Sequence, residues 1–124
     1  VSGYGGVDEL TITGPNKVSH LKEDGSIDNF NVDPRDYGFA EVGIGQLRGG
    51  EPEENAAILR SVLDGSEQGS KRNVVLLNAG AALWAARKVD SLQAGIILAR
   101  ETIDSGAALA KLDALIDYSN KVAR

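Results

Sequence analysis

The placement of glycine constrains this chain most. Ten of its fifteen glycines fall within the first 50 residues, between short β-branched runs. Glycine is costly inside a helix and useful where the backbone needs a positive φ or a close approach. A half built this way reads as loops and short strands. The second half is rich in alanine and leucine, with apolar residues at the three- and four-residue spacing of amphipathic helices. Residues 1–50 are therefore expected to be strands and loops, and residues 51–124 about four-fifths helix. The class is α/β, with short strands and a hairpin followed by about four helices.

Val1-Ser2-Gly3-Tyr4-Gly5-Gly6 reads as a strand end entering a glycine loop. A chain that opens on Val1 and lacks methionine reads as a segment of something longer. Leu10-Thr11-Ile12-Thr13 is expected to be a short strand stopped by Gly14-Pro15. Val18-Ser19-His20-Leu21 and the run from Ile27 to Val32 flank Asp24-Gly25, a hairpin signal, because glycine tolerates the positive φ of a tight turn. Whether Ile27, Asn29 and Asn31 or Asp28, Phe30 and Val32 face inward is left open by the sequence. Asp33 should cap a helical turn opened by Pro34.

Four helices follow. The first starts at Pro52, carries Ile58, Leu59, Val62 and Leu63 as its apolar stripe, and ends at Asp64-Gly65. The second, Val74 to Ala86, is apolar nearly all round and should be buried. The third is capped by Asp90 or Ser91 and closed by Ser105-Gly106. The last runs from Ala107 toward Val122 with Leu109, Leu112, Leu115 and Ile116 on one face.

Composition removes several function classes. Without cysteine there is no thiolate zinc site, thiol nucleophile or redox switch, and a single histidine excludes a multi-histidine cage. The stretch from Val74 to Ala86 is too short to span a bilayer, and no signal-peptide pattern opens the chain, so a cytoplasmic protein with no membrane partner is expected. A net charge of −5 argues against general nucleic-acid binding. The first 62 residues hold 11 acids against 5 bases. Such a surface repels phosphorylated ligands unless a cation intervenes.

Gly5-Gly6-Val7-Asp8-Glu9 is the most informative stretch. Carboxylate oxygens are the donors magnesium prefers, and in a glycine loop two neighbouring acids can approach one cation. Two solvated acids beside a turn fit the same spacing. Arg48-Gly49-Gly50 before an acid-rich helix reads as a tight turn, since three glutamates (Glu51, Glu53, Glu54) oppose a phosphate cradle. Gly43-Ile44-Gly45 lacks the strand–turn–helix context of a dinucleotide site. Asn78, inside an apolar helix, must find partners and should tie neighbouring backbone together. Trp84 is expected in the core and His20 on the surface.

Taken in order, Val1-Ser2-Gly3, Gly6-Val7-Asp8-Glu9-Leu10, Gly14-Pro15, Asp33-Pro34-Arg35-Asp36-Tyr37-Gly38, Leu47-Arg48-Gly49-Gly50 with Pro52 to Leu59, Leu76-Leu77-Asn78-Ala79-Gly80-Ala81-Ala82-Leu83 and Ile103-Asp104-Ser105-Gly106 resemble the second half of the anthranilate phosphoribosyltransferases. The resemblance covers essentially the whole chain. It departs at Ser2, where histidine is more usual, and at Val7, where leucine or methionine is.

The resemblance implies the C-terminal part of a phosphoribosyltransferase α/β domain. The implied reaction passes the phosphoribosyl group of phosphoribosyl pyrophosphate to anthranilate in tryptophan biosynthesis. It implies Mg2+ on the diphosphate, with Asp8 and Glu9 as its protein ligands. No catalytic or substrate-binding residue is implied within this stretch. The family's phosphate loop and its helical domain, which carries the homodimer contact, would lie N-terminal to Val1, so the segment alone is expected to be inactive. Two competing readings are a relative of the pyrimidine-nucleoside phosphorylases, which resemble the stretch from Gly6 to Glu9 much less, and a non-catalytic binding module of the same fold.

Overall fold

The computed structural model describes residues 1–122. Strands β1 (Asn16–Leu21) and β2 (Ile27–Val32) form an antiparallel hairpin, and helices α1 (Pro52–Leu63), α2 (Ser70–Ala85), α3 (Leu92–Asp104) and α4 (Ala107–Val122) follow. Short 3-10 turns lie at Tyr4–Gly6, Pro34–Tyr37 and Ile44–Leu47. The α/β class and the hairpin-then-four-helices order match the expectation.

The hairpin pairs Asn16 with Val32 at its open end and Leu21 with Ile27 at its turn. Gly25 takes φ +82°, and Asp24 Oδ1 accepts from the Ser26 backbone N–H at 2.9 Å and from its hydroxyl at 2.6 Å. The open question of facing resolves in favour of the second set. Phe30 and Val32 turn inward with Asn16, Val18 and His20, while Ile27, Asn29 and Asn31 are exposed. Asp33 caps its turn as expected, accepting from the Arg35 N–H at 3.0 Å.

The segment 10–13 is the main departure, because it forms no strand although all four residues are partly or wholly buried. Its backbone groups go to side-chain amides instead of a ladder. Leu10 is bonded by Asn78 and Thr11 by Asn16, and the Ile12 carbonyl accepts from the Val42 N–H at 3.2 Å. Ser2 pairs with Lys17 through two 2.9 Å bonds, so the N-terminal residues lie beside β1.

The core joins Leu10, Ile12, Val32 and Phe39 from the first half to Val62, Leu76, Leu77, Leu92, Ile96, Ala99 and Ile103 from the helices. Helices α2 and α3 make the tightest junction. A Cβ on Gly80 would meet the Ile96 nitrogen at 2.7 Å, and one on Gly95 would meet the Gly80 carbonyl oxygen. Only glycine at both positions lets the two backbones touch. Ser91 rather than Asp90 caps α3, accepting from the Ala94 N–H at 3.2 Å. Helix α2 starts earlier than expected, at Ser70, and buries Arg72, whose Nη2 donates to Asp104 at 2.6 Å.

The helix stripes are less buried than their periodicity suggests. Of the α1 set only Val62 is fully buried, and Leu59 is exposed. On α4, Leu109 and Leu112 are half-buried, whereas Leu115 and Ile116 face outward. Trp84 is half-buried at the core margin. His20 is not free on the surface: its ring meets Trp84 edge-on at 4.5 Å.

Candidate metal centre

Asp8 and Glu9 lie at a bend in the loop from Gly3 to Leu10, and both are exposed. Three local features shape that loop. Gly5 and Gly6 take φ +74° and +87°, left-handed values that cost a side chain about 1 kcal/mol or more each. The Gly3 N–H donates to the Val7 carbonyl at 2.8 Å, and the Gly6 N–H donates to the Gly3 carbonyl at 3.2 Å. Finally, the Glu9 carbonyl oxygen lies where a Cβ on Gly3 would stand. Gly3 therefore serves close approach, not an unusual φ. The loop closes on itself and presents Asp8 and Glu9 from its returning limb.

The returning limb is held from inside. The Asn78 side chain pairs reciprocally with Leu10: its Oδ1 accepts from the Leu10 N–H at 3.1 Å, and its Nδ2 donates to the Leu10 carbonyl at 2.6 Å. A further 3.0 Å bond from Nδ2 to the Val74 carbonyl ties the amide to its own helix. Asn16 does the same for Thr11. Its Oδ1 accepts from the Thr11 N–H at 2.8 Å, and its Nδ2 donates to the carbonyls of Thr11, Gly14 and Val32. Asn16 is wholly buried.

The donor set fits a hard divalent cation. The bend frees the two acids from the alternation that sends neighbouring side chains of a strand to opposite faces. Among the described residues no three His, Asp or Glu side chains gather as a closed metal site. Two carboxylates leave coordination positions for water and phosphate oxygens, the mode magnesium favours. Beside the glycine loop opens a groove of about 640 Å³ lined by Tyr4, Val7, Thr13, Val42 and Ile44, with Glu41 its only charged lining residue.

The other motifs resolve as structural. The Gly50 N–H that a phosphate cradle would offer already donates to Asn55 Oδ1 at 2.9 Å, and Asn55 Nδ2 returns a 2.8 Å bond to the Gly50 carbonyl. Lys71 Nζ donates to the Arg48 carbonyl at 2.8 Å, which fixes the same turn to α2. Asn78 ties backbone together as expected. Asn16 and Asn55 were not singled out from sequence. Their signal was available: asparagine is a poor strand former and an indifferent helix former, and Asn16 follows the Gly14-Pro15 turn while Asn55 lies near the start of α1.

Residues 1–109 match the glycosyl transferase family a/b domain, and the chain belongs to that family. It is 47% identical over 109 residues to the anthranilate phosphoribosyltransferase of Staphylococcus aureus, an alignment covering 88% of this chain and 33% of that protein. The anthranilate phosphoribosyltransferase of Thermus thermophilus superposes with a TM-score of 0.83 at 37% identity, over 92% of this chain and 33% of the other. The Saccharomyces cerevisiae enzyme, solved in complex with PRPP and Mg, also gives 0.83 at 29% identity, over 94% and 33%. The chain thus spans about a third of the length of the relatives it matches. No helix among the described residues is long and apolar enough to cross a membrane.

Proposed function

We propose that the protein to which this chain belongs transfers the phosphoribosyl group from phosphoribosyl pyrophosphate to anthranilate. In this reading residues 1–124 form the C-terminal part of its catalytic α/β domain. The observation that carries it is the closed glycine loop presenting Asp8 and Glu9, in a chain 47% identical to such an enzyme. Asp8 and Glu9 would hold Mg2+, and the loop keeps both acids exposed at the edge of the core, where the cation would keep positions free for substrate oxygens. The bound cation supplies stabilisation of charge on the departing pyrophosphate. The 5′-phosphate and anthranilate are held by parts of the protein beyond this segment, so the segment alone is inactive. The complete enzyme is a cytoplasmic homodimer.

The test is turnover of the complete protein, followed as loss of anthranilate, with Asp8→Asn and Glu9→Gln compared across magnesium concentrations. Each variant should lose about a hundredfold in kcat/KM, recover partly at high magnesium, and unfold within about 0.5 kcal/mol of wild type. Curves that superimpose on wild type would make both acids ordinary solvated groups. Phosphorolysis of uridine in place of anthranilate consumption would move the assignment to the nucleoside phosphorylases.

A further inference from the structure

We infer that Asn78 is a positioning residue for the metal loop: its amide, reaching from α2, sets the direction in which Asp8 and Glu9 leave the core and so sets the affinity for the divalent cation. This rests on the reading of Asp8 and Glu9 as metal ligands.

The geometry narrows the role to this residue. Among the described residues, the hydrogen bonds of the loop between Gly3 and Leu10 are its own backbone bonds, Gly3 to Val7 and Gly6 to Gly3, and the Glu9 carbonyl packs on Gly3. Those contacts fix the loop's internal shape, and the Ser2–Lys17 pair together with the Tyr4 ring against Gly14 anchors its entering limb. The returning limb, which carries Asp8 and Glu9, is held from elsewhere. The first bond from the returning limb to another element is the reciprocal pair between Leu10 and Asn78, one residue beyond Glu9 and 68 residues away in sequence. Asn78 is itself rigid, because the same Nδ2 bonds the Val74 carbonyl, and Leu76, Leu77 and Gly80 around it are buried. A side-chain amide reproduces both groups of a peptide unit, so it holds Leu10 as a neighbouring strand would. It does so at one residue only, leaving Asp8 and Glu9 outside any ladder. Asn16 secures Thr11 in the same way but stands one residue further from the acids and also bonds the carbonyls of Gly14 and of Val32 in the hairpin. Its loss would disturb the fold broadly. Loss of Asn78 should act chiefly on the loop.

Groups that orient a ligand through hydrogen bonds typically govern metal affinity by about ten- to a hundredfold. Asn78 acts through one intervening residue, and the lower end of that range is expected. The experiment is Mn2+ titration of the complete protein with inorganic pyrophosphate present, read by the paramagnetic resonance signal of free Mn2+, on wild type, Asn78→Ala, Asn78→Asp and Asp8→Asn. Amide hydrogen exchange at Leu10, Thr11 and Leu77 is measured alongside. Asn78→Asp keeps an acceptor for the Leu10 N–H and removes the donor to its carbonyl, so it remains informative if the alanine variant unfolds.

The expected result is about a tenfold weaker Mn2+ affinity in Asn78→Ala, a smaller loss in Asn78→Asp, faster exchange at Leu10 and unchanged exchange at Leu77. If Asp8→Asn weakens Mn2+ while both Asn78 variants bind it as wild type does, the positioning role is overturned and the metal assignment stands. If Asp8→Asn leaves Mn2+ binding unaltered, the metal assignment itself fails and the inference falls with it. Equal acceleration of exchange at Leu10 and Leu77 would reduce Asn78 to a general support of the core and also overturn the proposal.

Discussion

In the helical half the backbone satisfies its own hydrogen bonds, and the side chains are left to pack. Leu76 and Leu77 on α2 and Ile96, Ala99 and Ile103 on α3 meet across a seam whose one fully buried polar side chain, among the described residues of these helices, is Arg72. In the loop half that economy is reversed. Leu10, Thr11 and Ile12 are as buried as the helical leucines, yet they sit in backbone that belongs to no strand, and the peptide groups of Leu10 and Thr11 depend on asparagine side chains. Asn16 holds Thr11, Asn78 holds Leu10, and Asn55 holds Gly50. Asn16 and Asn78 stand in for strand neighbours, and Asn55 closes a turn. The difference matters for chemistry, because backbone held at single points can leave a ladder immediately afterwards and present a pair of acids.

If this contrast is right, the two halves should respond oppositely to shape-conserving substitution. The largest effect is expected at Asn16, where alanine leaves the Thr11 N–H and carbonyl buried without partners at about 1–3 kcal/mol each. Leucine, close to asparagine in size, should be as damaging as alanine, because the orphaned groups are backbone and cannot be removed with it. Both variants should lose about 4 kcal/mol in denaturant unfolding. Substantial recovery by Asn16→Leu would show that packing, not amide pairing, holds this half.

On α2 the reverse pattern is expected, with a somewhat smaller maximum. Leu77→Ala should cost about 3 kcal/mol through the cavity it leaves, while Leu77→Met, which conserves volume, should cost less than about 1.5 kcal/mol. Equal losses for the two would erase the distinction between the halves. Gly80→Ala comes next. Helix propensity favours alanine by about 1 kcal/mol, but its Cβ would collide with the Ile96 nitrogen, a backbone atom that cannot swing away. A net loss of about 2 kcal/mol is expected from overpacking, and a neutral or stabilised variant would mean that the α2–α3 junction is looser than its contacts indicate.

The smallest effect concerns a local clamp without burial. Hydrogen bonds from the Arg35 side chain, and then from its backbone N–H, hold the Asp33 carboxyl down to about 2. A lowered carboxyl contributes stability that is complete above its unfolded value of about 4 and is lost as pH falls through about 2. Arg35 is exposed and Asp33 only partly buried, so the signature is sought in titration rather than in unfolding. Carbon-detected NMR should place the Asp33 midpoint well below the other carboxylates, and Arg35→Ala should return it toward the ordinary range. An unchanged midpoint in that variant would remove Arg35 as the cause.

What the sequence determined by itself was whatever depends on neighbours along the chain. Glycine density, the three- and four-residue spacing of leucines, the Asp24-Gly25 turn and the Asp33-Pro34 cap act over a few residues, and the elements they signal formed, although α2 begins at Ser70 rather than Val74. The acid pair proposed as metal ligands stands out from the sequence for the same reason, since Gly5 and Gly6 beside Asp8 and Glu9 form one local pattern. The tertiary structure alone decided how residues 10–13 are held. Four buried residues with β-branched members read as a strand, but a strand needs a partner edge, and here the partners are Asn16 and Asn78, one of them 68 residues away. It also decided which periodic faces are buried: the α4 stripe is regular to its end, yet Leu115 is 59% exposed because only the first turns of that helix lie against the fold. Periodicity records that a face is apolar. Whether anything covers it, and which side chain answers a distant peptide group, is set by long-range contacts that no local pattern carries.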